Sequence, residues 1–180
     1  MKHQNGVTLI ELMITLAIVT IILTSVGPSI QSILIKNRIV AEINELSALV
    51  QYARHQAIDE QTLVTVCPSL DYTNCTTDWN NPKMAFIDSD NNAIRGATEE
   101  LIVSVAAASD ANLITSTQNS IIFEETGQAN NAVEILLCHK DKSAEYARSI
   151  TITLQGRVKM STDSDKNGIY ENAAGTPLTC

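Results

Sequence analysis

Four cysteines are the residues of this sequence best suited to covalent chemistry: Cys67, Cys75, Cys138 and Cys180. All of them lie beyond an apolar N-terminal segment, and an even number of cysteines in an exported domain favours two disulfides in an oxidising compartment. Four cysteines allow three pairings, and the sequence alone does not choose among them. We favour a Cys67–Cys75 bridge that closes the loop after the first strand, and a Cys138–Cys180 bridge that pins a long tail.

The sequence around these cysteines does not predict a catalytic or metal site. His139 follows Cys138 directly, and adjacent residues of a strand point to opposite faces, so the two are a poor nucleophile–base pair. The sequence has no Cys-x-x-Cys pair or spaced histidine pair for a metal, and no glycine-rich phosphate loop or convincing carboxylate pair for catalysis. We therefore expect no catalytic residue, no metal and no cofactor, and we expect that the protein is not an enzyme.

Two short acidic stretches have the alternating oxygen ligands of a calcium-binding loop: DSDKNG at residues 163–168 and DSDNNA at residues 88–93. The first stretch fits the start of such a loop, but its twelfth position is Ala174 rather than a bidentate glutamate. The second stretch lacks the glycine. Asx turns, in which the side chain bonds to nearby backbone amides, explain both stretches. Calcium binding at the first stretch stays open.

Basic side chains are concentrated near the C-terminal end of a chain whose net charge is −8 at pH 7. An acidic chain can bind nucleic acid only through a local basic patch. The candidate residues for contacts to DNA phosphates are Lys140, Lys142, Arg148, Arg157 and Lys159. The alternative interpretation is an ordinary surface distribution of charge around a pair of strands.

The first element that must position these residues is an N-terminal helix. Residues 12–35 carry no charge, and a helix of that length is about 36 Å long, enough to cross a bilayer. A cleaved secretory signal would need a shorter apolar core and a small-residue cleavage site. A plain membrane anchor leaves Glu11 unexplained, because an ionised side chain in hydrocarbon costs roughly 2.5–3.5 kcal/mol. If the chain is cut between Gly6 and Val7, however, Glu11 can neutralise the new amino terminus of a neighbouring copy.

The pattern after residue 36 is that of an amphipathic helix packed on a globular domain. Apolar residues recur at spacings of three and four, at Ile39, Ile43, Leu46, Leu49 or Val50, Ala53 and Ala57. The spacing predicts one helix over residues 7–58, which Gly27 and Pro28 would loosen or kink.

Short strands between turn clusters follow this helix. We expect strands at residues 62–67, 83–88, 100–105, 120–124, 133–138, 149–154 and 157–160, with a tight turn or a bulge around Gly156. Turn-forming residues fill the gaps at 71–82, 89–98, 109–119, 126–131 and 161–177. The predicted fold class is α+β, with a long N-terminal helix, its first half membrane-spanning, packed on a small antiparallel sheet.

The start of the chain resembles the signature of the type IV pilin superfamily. That signature is a short basic leader ending in glycine, here Gly6, then an apolar residue, here Val7, then Thr-Leu-Ile-Glu-Leu at residues 8–12. The commonest first residue in the family is phenylalanine, so Val7 is a departure. The resemblance implies that a prepilin peptidase removes the leader and N-methylates Val7, and that Glu11 acts in the assembly of a helical filament.

This resemblance also implies the organisation of the chain and its location. We expect a leader peptide at 1–6, a transmembrane and assembly helix at 7–35, an amphipathic helix at 36–58 and a β-rich head at 59–180. The protein would sit in the bacterial inner membrane with its head in the periplasm, and would later join an extracellular pilus or a periplasmic pseudopilus.

A series of weaker motifs is similar to that of the GspH/FimT-like minor pilins and pseudopilins. The motifs are, in order, VTVCPS, MAFIDSDNN, EELIVS, IIFEETGQ and QGRVKM. The similarity implies a minor pilin of a type IV pilus that helps to initiate or cap the filament, with other minor and major pilins as partners.

Two alternatives follow from the same resemblance. GRVK at residues 156–159 resembles the G-R-x-R signature of a DNA-binding branch, with Lys159 in place of the second arginine. It implies a minor pilin that binds double-stranded DNA during natural transformation. The second alternative is a pseudopilin of the H type in a type II secretion system.

Overall fold

The computed structural model describes residues 6–180, with the side chains of all of these except residues 25–29. The chain divides into two compact units, Met1–Asn37 and Arg38–Cys180. Most of the predicted leader, and the side chains of Gly27 and Pro28 at the predicted kink, lie outside this description. Helix α1 is Leu9–Glu60, close to the predicted span of 7–58.

Most of the first unit is the N-terminal part of α1, and large apolar side chains are exposed along its residues 7–23. Its threonines turn their hydroxyls inward: Thr15 Oγ1 donates to the carbonyl of Leu12 at 2.9 Å, and Thr24 Oγ1 donates to that of Thr20 at 2.9 Å. Such bonds satisfy the hydroxyls within the helix, so these threonines present mainly their methyl groups to the surroundings. Among the described residues, no helix is long and apolar enough to cross a membrane. The predicted membrane span is therefore not confirmed.

The second unit is built around the C-terminal part of α1. The apolar stripe predicted from the spacing is buried along its whole length, at Ile39, Ile43, Leu46, Leu49, Val50, Ala53 and Ala57. Each of these side chains is at most 3% exposed, because the three- and four-residue spacing places them on one helix face that packs on the head.

Two four-stranded antiparallel sheets complete the head, where the sequence predicts one small sheet. The first sheet has the order β3-β2-β1-β5 and the second has the order β4-β6-β7-β8. The strands are β1 Val64–Pro68, β2 Lys83–Ile87, β3 Leu101–Val105, β4 Asn112–Ser116, β5 Ile121–Phe123, β6 Val133–His139, β7 Arg148–Ile152 and β8 Val158–Met160. A short 3₁₀ turn, Ala144–Tyr146, connects β6 to β7.

Strand β4 was not predicted from the sequence, where residues 109–119 were assigned to turns. The polar side chain of Asn112 takes the first buried position of the strand, and Ile114 takes the second. Pairing with β6, from Asn112 opposite His139 to Ser116 opposite Ile135, forms the strand despite its weak apolar pattern. The predicted turn at Gly156 is present, with a φ of 72° that suits glycine.

Candidate functional site

The N-terminal motif forms a helix cap. The hydroxyl of Thr8 accepts a hydrogen bond from the backbone amide of Glu11 at 3.3 Å, and the carbonyl of Thr8 accepts one from Leu12 at 3.2 Å. A threonine followed three residues later by glutamate is the capping-box pattern. This Thr-x-x-Glu spacing was visible in the sequence, and the sequence analysis did not use it.

The position of Glu11 suits two roles, one at the helix N-terminus and one as a charge that pairs with a cation. Its carboxylate lies in the first turn of α1, where it complements the helix dipole, and the residue is exposed. Gly6 and Val7 precede the helix, and Val7 is 70% exposed. A first-turn carboxylate beside the exposed start of the helix is able to pair with a cation supplied from outside this chain.

Large apolar side chains are exposed along residues 7–23 of the first unit. Leu9 is 78% exposed and Ile21 is 67% exposed, and the same holds for most aliphatic residues from 7 to 23. A helix that is apolar all round is stable only where lipid or other protein surrounds it. This part of α1 is therefore an interaction surface.

The cysteines form two disulfides in the head, Cys67–Cys75 and Cys138–Cys180, which is the pairing favoured in the sequence analysis. Cys67 is buried beside Met84 and Phe86, and Cys138 is buried beside Ala147 and Leu178. The second bridge joins β6 to the C-terminal residue, so it holds the tail on the second sheet. No free cysteine is present among the described residues.

Arg148 fastens the same tail and is not available to DNA. Its guanidinium carbon lies 3.3 Å from the centroid of the Tyr170 ring, and its Nη1 donates to the carbonyls of Ala147 at 2.6 Å and Glu145 at 3.1 Å. The residue is only 8% exposed, and this burial lowers the pKa of Arg148. The inclusion of Arg148 among the phosphate-binding candidates is therefore corrected, because the residue is buried and its Nη1 is already bonded to two carbonyls of the protein.

The other four cations are exposed but do not form one patch. Lys140 and Lys142 follow the last residue of β6, whereas Arg157 and Lys159 lie at the β7–β8 hairpin. In the second sheet, the end of β6 at His139 lies beside the start of β7. Val158 of β8 pairs with Ile152, the last residue of β7, and Ile152 pairs with Val133 at the other end of β6. The two pairs thus occupy opposite ends of β6, about 20 Å apart at 3.3 Å per residue.

His139 and Cys138 do not form a reactive pair. Cys138 is oxidised in the disulfide, and His139 Nδ1 lies 3.1 Å from a carboxylate oxygen of Asp141. The pKa of Asp141 lies below its usual value, mainly because the carboxylate accepts a hydrogen bond from the amide of Ser143. His139 contacts the Tyr146 ring edge-on, with centroids 5.8 Å apart. This arrangement shapes the turn after β6.

The acidic loop at residues 88–93 is held by hydrogen bonds from the protein. The carboxylate of Asp88, fully buried, accepts hydrogen bonds from the Thr65 hydroxyl at 2.7 Å and from the amides of Asn92 and Ala93. Glu99 accepts hydrogen bonds from two further backbone amides. The carboxylates of Asp88 and Glu99 are thus satisfied by the protein, and Asn92 forms an Asx turn in this loop, where its Oδ1 accepts a hydrogen bond from the amide of Ile94 at 2.6 Å. Asp88, Asp90 and Glu99 nevertheless each have an oxygen within 4.8 Å of the others.

The acidic loop at residues 163–168 differs, because one of its carboxylate oxygens has no hydrogen-bond partner. Asp163, Asp165 and Glu171 also offer oxygens within 4.8 Å of one another, so Glu171 supplies the third carboxylate instead of the residue at 174. Asp163 Oδ2 accepts a hydrogen bond from the Gly168 amide at 3.1 Å, but Asp163 Oδ1 is buried without a hydrogen-bond partner. Hard oxygen ligands of this kind suit calcium better than a transition metal. Asp163, Asp165 and Glu171 could therefore hold a cation.

Two family models match the sequence. The model described as "Type II transport protein GspH" matches residues 42–156, and the model described as "Prokaryotic N-terminal methylation motif" matches residues 1–27. A comparison with curated protein sequences finds no match.

The comparison with solved structures finds a minor pilin, in two crystal forms, and a pseudopilin. The type IV minor pilin FimU of Pseudomonas aeruginosa is 15% identical, with a TM-score of 0.59 over 80% of this chain and 96% of that chain. A second crystal form of FimU gives 15% identity and a TM-score of 0.55 over 78% and 98% of the two chains. The minor pseudopilin EpsH of Vibrio cholerae is 7% identical, with a TM-score of 0.47 over 67% and 93%. At these identities the likeness to FimU shows the fold alone.

Proposed function

Since the chain belongs to the GspH family and has the type IV pilin fold, we propose that it is a minor pilin of a type IV pilus that helps to initiate or cap the filament. Proteins of this family are structural subunits, and this chain is not an enzyme. The observation that carries the proposal is the N-terminal methylation motif joined to an apolar and exposed helix surface. A filament core would cover that surface.

The leader and Glu11 have distinct tasks in this proposal. A prepilin peptidase cuts between Gly6 and Val7 and methylates the new amino terminus. Glu11 of one subunit then pairs with the amino terminus of its neighbour, which neutralises two charges that are costly in an apolar surrounding. The proposed segments are the leader at 1–6 and the assembly helix at 7–35, followed by the amphipathic helix at 36–58 and the head at 59–180.

The proposed location is the inner membrane with the head in the periplasm, and afterwards the filament. The two disulfides favour this location, because structural disulfides persist in an oxidising compartment such as the periplasm. The partners are other minor and major pilins, and the peptidase that matures the chain.

DNA binding for natural transformation is a second candidate function. Arg157 and Lys159 favour it, since both are exposed at one hairpin. The burial of Arg148 and the distance to Lys140 and Lys142 reduce the number of cations that one DNA segment can reach. Binding would be weak, independent of sequence and strongly reduced by salt. An Arg157→Gln/Lys159→Gln double variant should lose it, whereas Arg95→Gln, outside the hairpin, should not.

The H-type pseudopilin of a type II secretion system is the remaining alternative, which the description of the family model favours. A clean deletion in the bacterium that encodes the chain separates the three functions. We expect loss of piliation, restored by the wild-type gene, with protein secretion intact. Loss of secretion with normal piliation would contradict the pilus proposal, and loss of DNA uptake with normal piliation would favour the second candidate.

A further inference from the structure

Two acidic loops of the head share one sequence pattern. The loop at residues 88–93 reads DSDNNA, and the loop at residues 163–168 reads DSDKNG. Each loop is joined by a glutamate from further along the chain, Glu99 for the first and Glu171 for the second. In both groups an oxygen of every carboxylate lies within 4.8 Å of an oxygen of the other two. The pattern is thus the same, and only the hydrogen bonding of the carboxylates distinguishes the two loops.

In the 88–93 loop the protein itself supplies the donors. The buried carboxylate of Asp88 accepts hydrogen bonds from the Thr65 hydroxyl and from two backbone amides. Glu99 accepts hydrogen bonds from the amides of Ser89 and Gly96, both at 2.8 Å. Within the part of the chain that the structure describes, no carboxylate oxygen of this group is buried without a partner. This loop therefore gains little from a bound cation.

In the 163–168 loop the protein leaves buried carboxylate oxygens short of donors. Asp163 Oδ2 accepts a hydrogen bond from the Gly168 amide, but Asp163 Oδ1 is buried and has no partner. Glu171 is only 7% exposed, and among the described residues its side chain accepts one hydrogen bond, from the Ser164 amide to Oε2 at 2.8 Å. Burial of a carboxylate oxygen without a donor is costly, so a bound cation would supply the missing partner.

Backbone pairing holds this loop closed at its base. Thr162 and Glu171 exchange two backbone hydrogen bonds, of 3.1 Å and 2.8 Å. The oxygens of Asp163, Asp165 and Glu171 then lie within 4.8 Å of one another. Two oxygens on opposite sides of one calcium ion lie about 5 Å apart, because each calcium–oxygen distance is about 2.3–2.6 Å. The spacing of the three carboxylates therefore fits a single calcium ion.

Two cations near the loop limit the affinity that it can have. Arg148 interacts electrostatically with Asp163, which opposes the lowering of the Arg148 pKa by burial. Lys166 is exposed within the loop. Three carboxylates outnumber these two cations, so the loop still favours a positive ion. We expect a Kd in the range of extracellular calcium-binding modules, about 10⁻⁴–10⁻³ M.

We propose that Asp163, Asp165 and Glu171 form a calcium site, with Asp163 Oδ1 as its buried ligand. Calcium suits the site better than magnesium, because magnesium keeps several of its waters whereas this loop offers three protein carboxylates. The ion joins the loop after β8 to the tail at Glu171, so its binding orders the segment that ends in the Cys138–Cys180 bridge. The inference does not depend on the proposed function, because it concerns the head of the isolated chain.

A calcium titration of the purified full-length chain in detergent micelles tests the site. Backbone amide shifts of residues 162–171, followed by NMR, should move and saturate with a Kd between about 0.1 and 1 mM. The amides of residues 88–93 should stay in place, and magnesium should give no saturable shift at the same concentrations. Shifts of equal size in both loops would show a general attraction to acidic surface and would overturn the proposal. Saturation by magnesium at equal concentration would overturn calcium as the ligand.

Asp165 and Asp90 provide a matched pair of variants. Both are exposed, and each accepts a hydrogen bond on Oδ2 from the asparagine two residues later, at 2.8 Å and 2.7 Å. Asp165→Asn should raise the calcium Kd about tenfold or more, because affinity follows the number of charged ligands. Asp90→Asn should leave the Kd unchanged. Wild-type affinity in Asp165→Asn, or equal effects of the two substitutions, would contradict the site.

Hydrogen exchange measures whether the ion orders the tail. At a calcium concentration ten times the Kd, amides of residues 161–178 that exchange by local opening should slow about tenfold, because binding favours the closed state by a factor of 1 + [L]/Kd. Asp163→Asn removes the charge of the buried ligand, so its exchange should not respond to calcium. Magnesium chloride at the same ionic strength is the salt control. Equal slowing by magnesium, or in Asp163→Asn, would be a salt effect and would overturn the inference.

Discussion

The guanidinium of Arg148 lies 3.3 Å from the ring centroid of Tyr170, and this stacking joins strand β7 to the C-terminal tail. The backbone amide of Leu178 continues the attachment by donating to the carbonyl of Tyr170 at 2.8 Å. Leu178 is buried against Cys138, which is itself bridged to Cys180. A tail rich in turn-forming residues is thus held by a cation–π contact, an apolar contact and a covalent bond.

Arg148→Ala should destabilise the head by about 2–4 kcal/mol, because it removes two charge-assisted hydrogen bonds and a cation–π contact. Arg148→Lys should be intermediate, since lysine lacks the planar donor group. Chemical denaturation measures the change, and hydrogen exchange should rise in residues 161–178. Lys142→Ala, an exposed control, should change the free energy of unfolding by less than about 0.5 kcal/mol. Equal effects of the two alanine variants would contradict a structural role for Arg148.

The two disulfides should contribute unequally to stability. Cys138 and Cys180 are 42 residues apart, and Cys67 and Cys75 are 8 apart. The loop-closure model predicts losses of about 4 kcal/mol and about 2.5 kcal/mol when each pair is replaced by serine. Denaturant titrations of the two double variants test the order. A larger loss from the shorter loop would mean that packing around Cys67 outweighs loop entropy.

Variants of Glu11 can separate its role in the helix cap from the role of its charge in assembly. Glutamine at position 11 keeps the Thr-x-x-Glu/Gln capping pattern but removes the charge. We expect Glu11→Gln and Glu11→Ala to block incorporation into filaments equally, with leader removal intact. Thr8→Ala should cost about 1 kcal/mol of helix stability and leave incorporation largely normal. Incorporation of Glu11→Gln at wild-type levels would show that the residue acts as a cap and not as an assembly charge.

Processing of the leader predicts the mass of the mature protein. The methylation motif covers residues 1–27, and the expected amino terminus is Val7. Intact mass spectrometry of the membrane-extracted chain should show the loss of residues 1–6 and the addition of one methyl group. Gly6→Leu should block this cleavage, whereas Asn5→Ala should not. A mature chain that keeps Met1 would contradict the pilin proposal.

The loop closed by Cys67 and Cys75 should remain ordered in acid. Asp71 accepts hydrogen bonds from the backbone amides of Asn74 at 2.8 Å and Thr73 at 2.9 Å, and from the Asn74 side chain at 2.8 Å. These bonds, those of Asn74 first, hold the pKa of Asp71 far below its ordinary value of 3.8. A lowered pKa means that this stabilisation is complete above pH 3.8 and is lost as the pH falls through the folded-state pKa. Carbon NMR titration of the Asp71 carboxyl group measures it, and a midpoint near 3.8 would contradict the prediction.

Local patterns in the sequence determined the helix and its buried stripe. Ile39 to Ala57 repeat at helical spacing, and that period alone places them on one face. The capping pattern at Thr8 and Glu11, the turn at Gly156 and most strands are equally local, because each depends on a few adjacent residues. Strand β4 escaped prediction because its formation depends on pairing with β6, which is distant in the chain.

The positions of the cations were decided only by the tertiary structure. Lys140, Lys142, Arg157 and Lys159 are close in sequence, but the antiparallel register of β6, β7 and β8 carries them to opposite ends of a sheet. Arg148 is buried because the tail returns to place Tyr170 over its guanidinium. The charge of a side chain is fixed by its residue type. Its neighbours and its access to water are fixed by segments far along the chain, so the sequence supplied the charges and the fold decided which of them stay exposed.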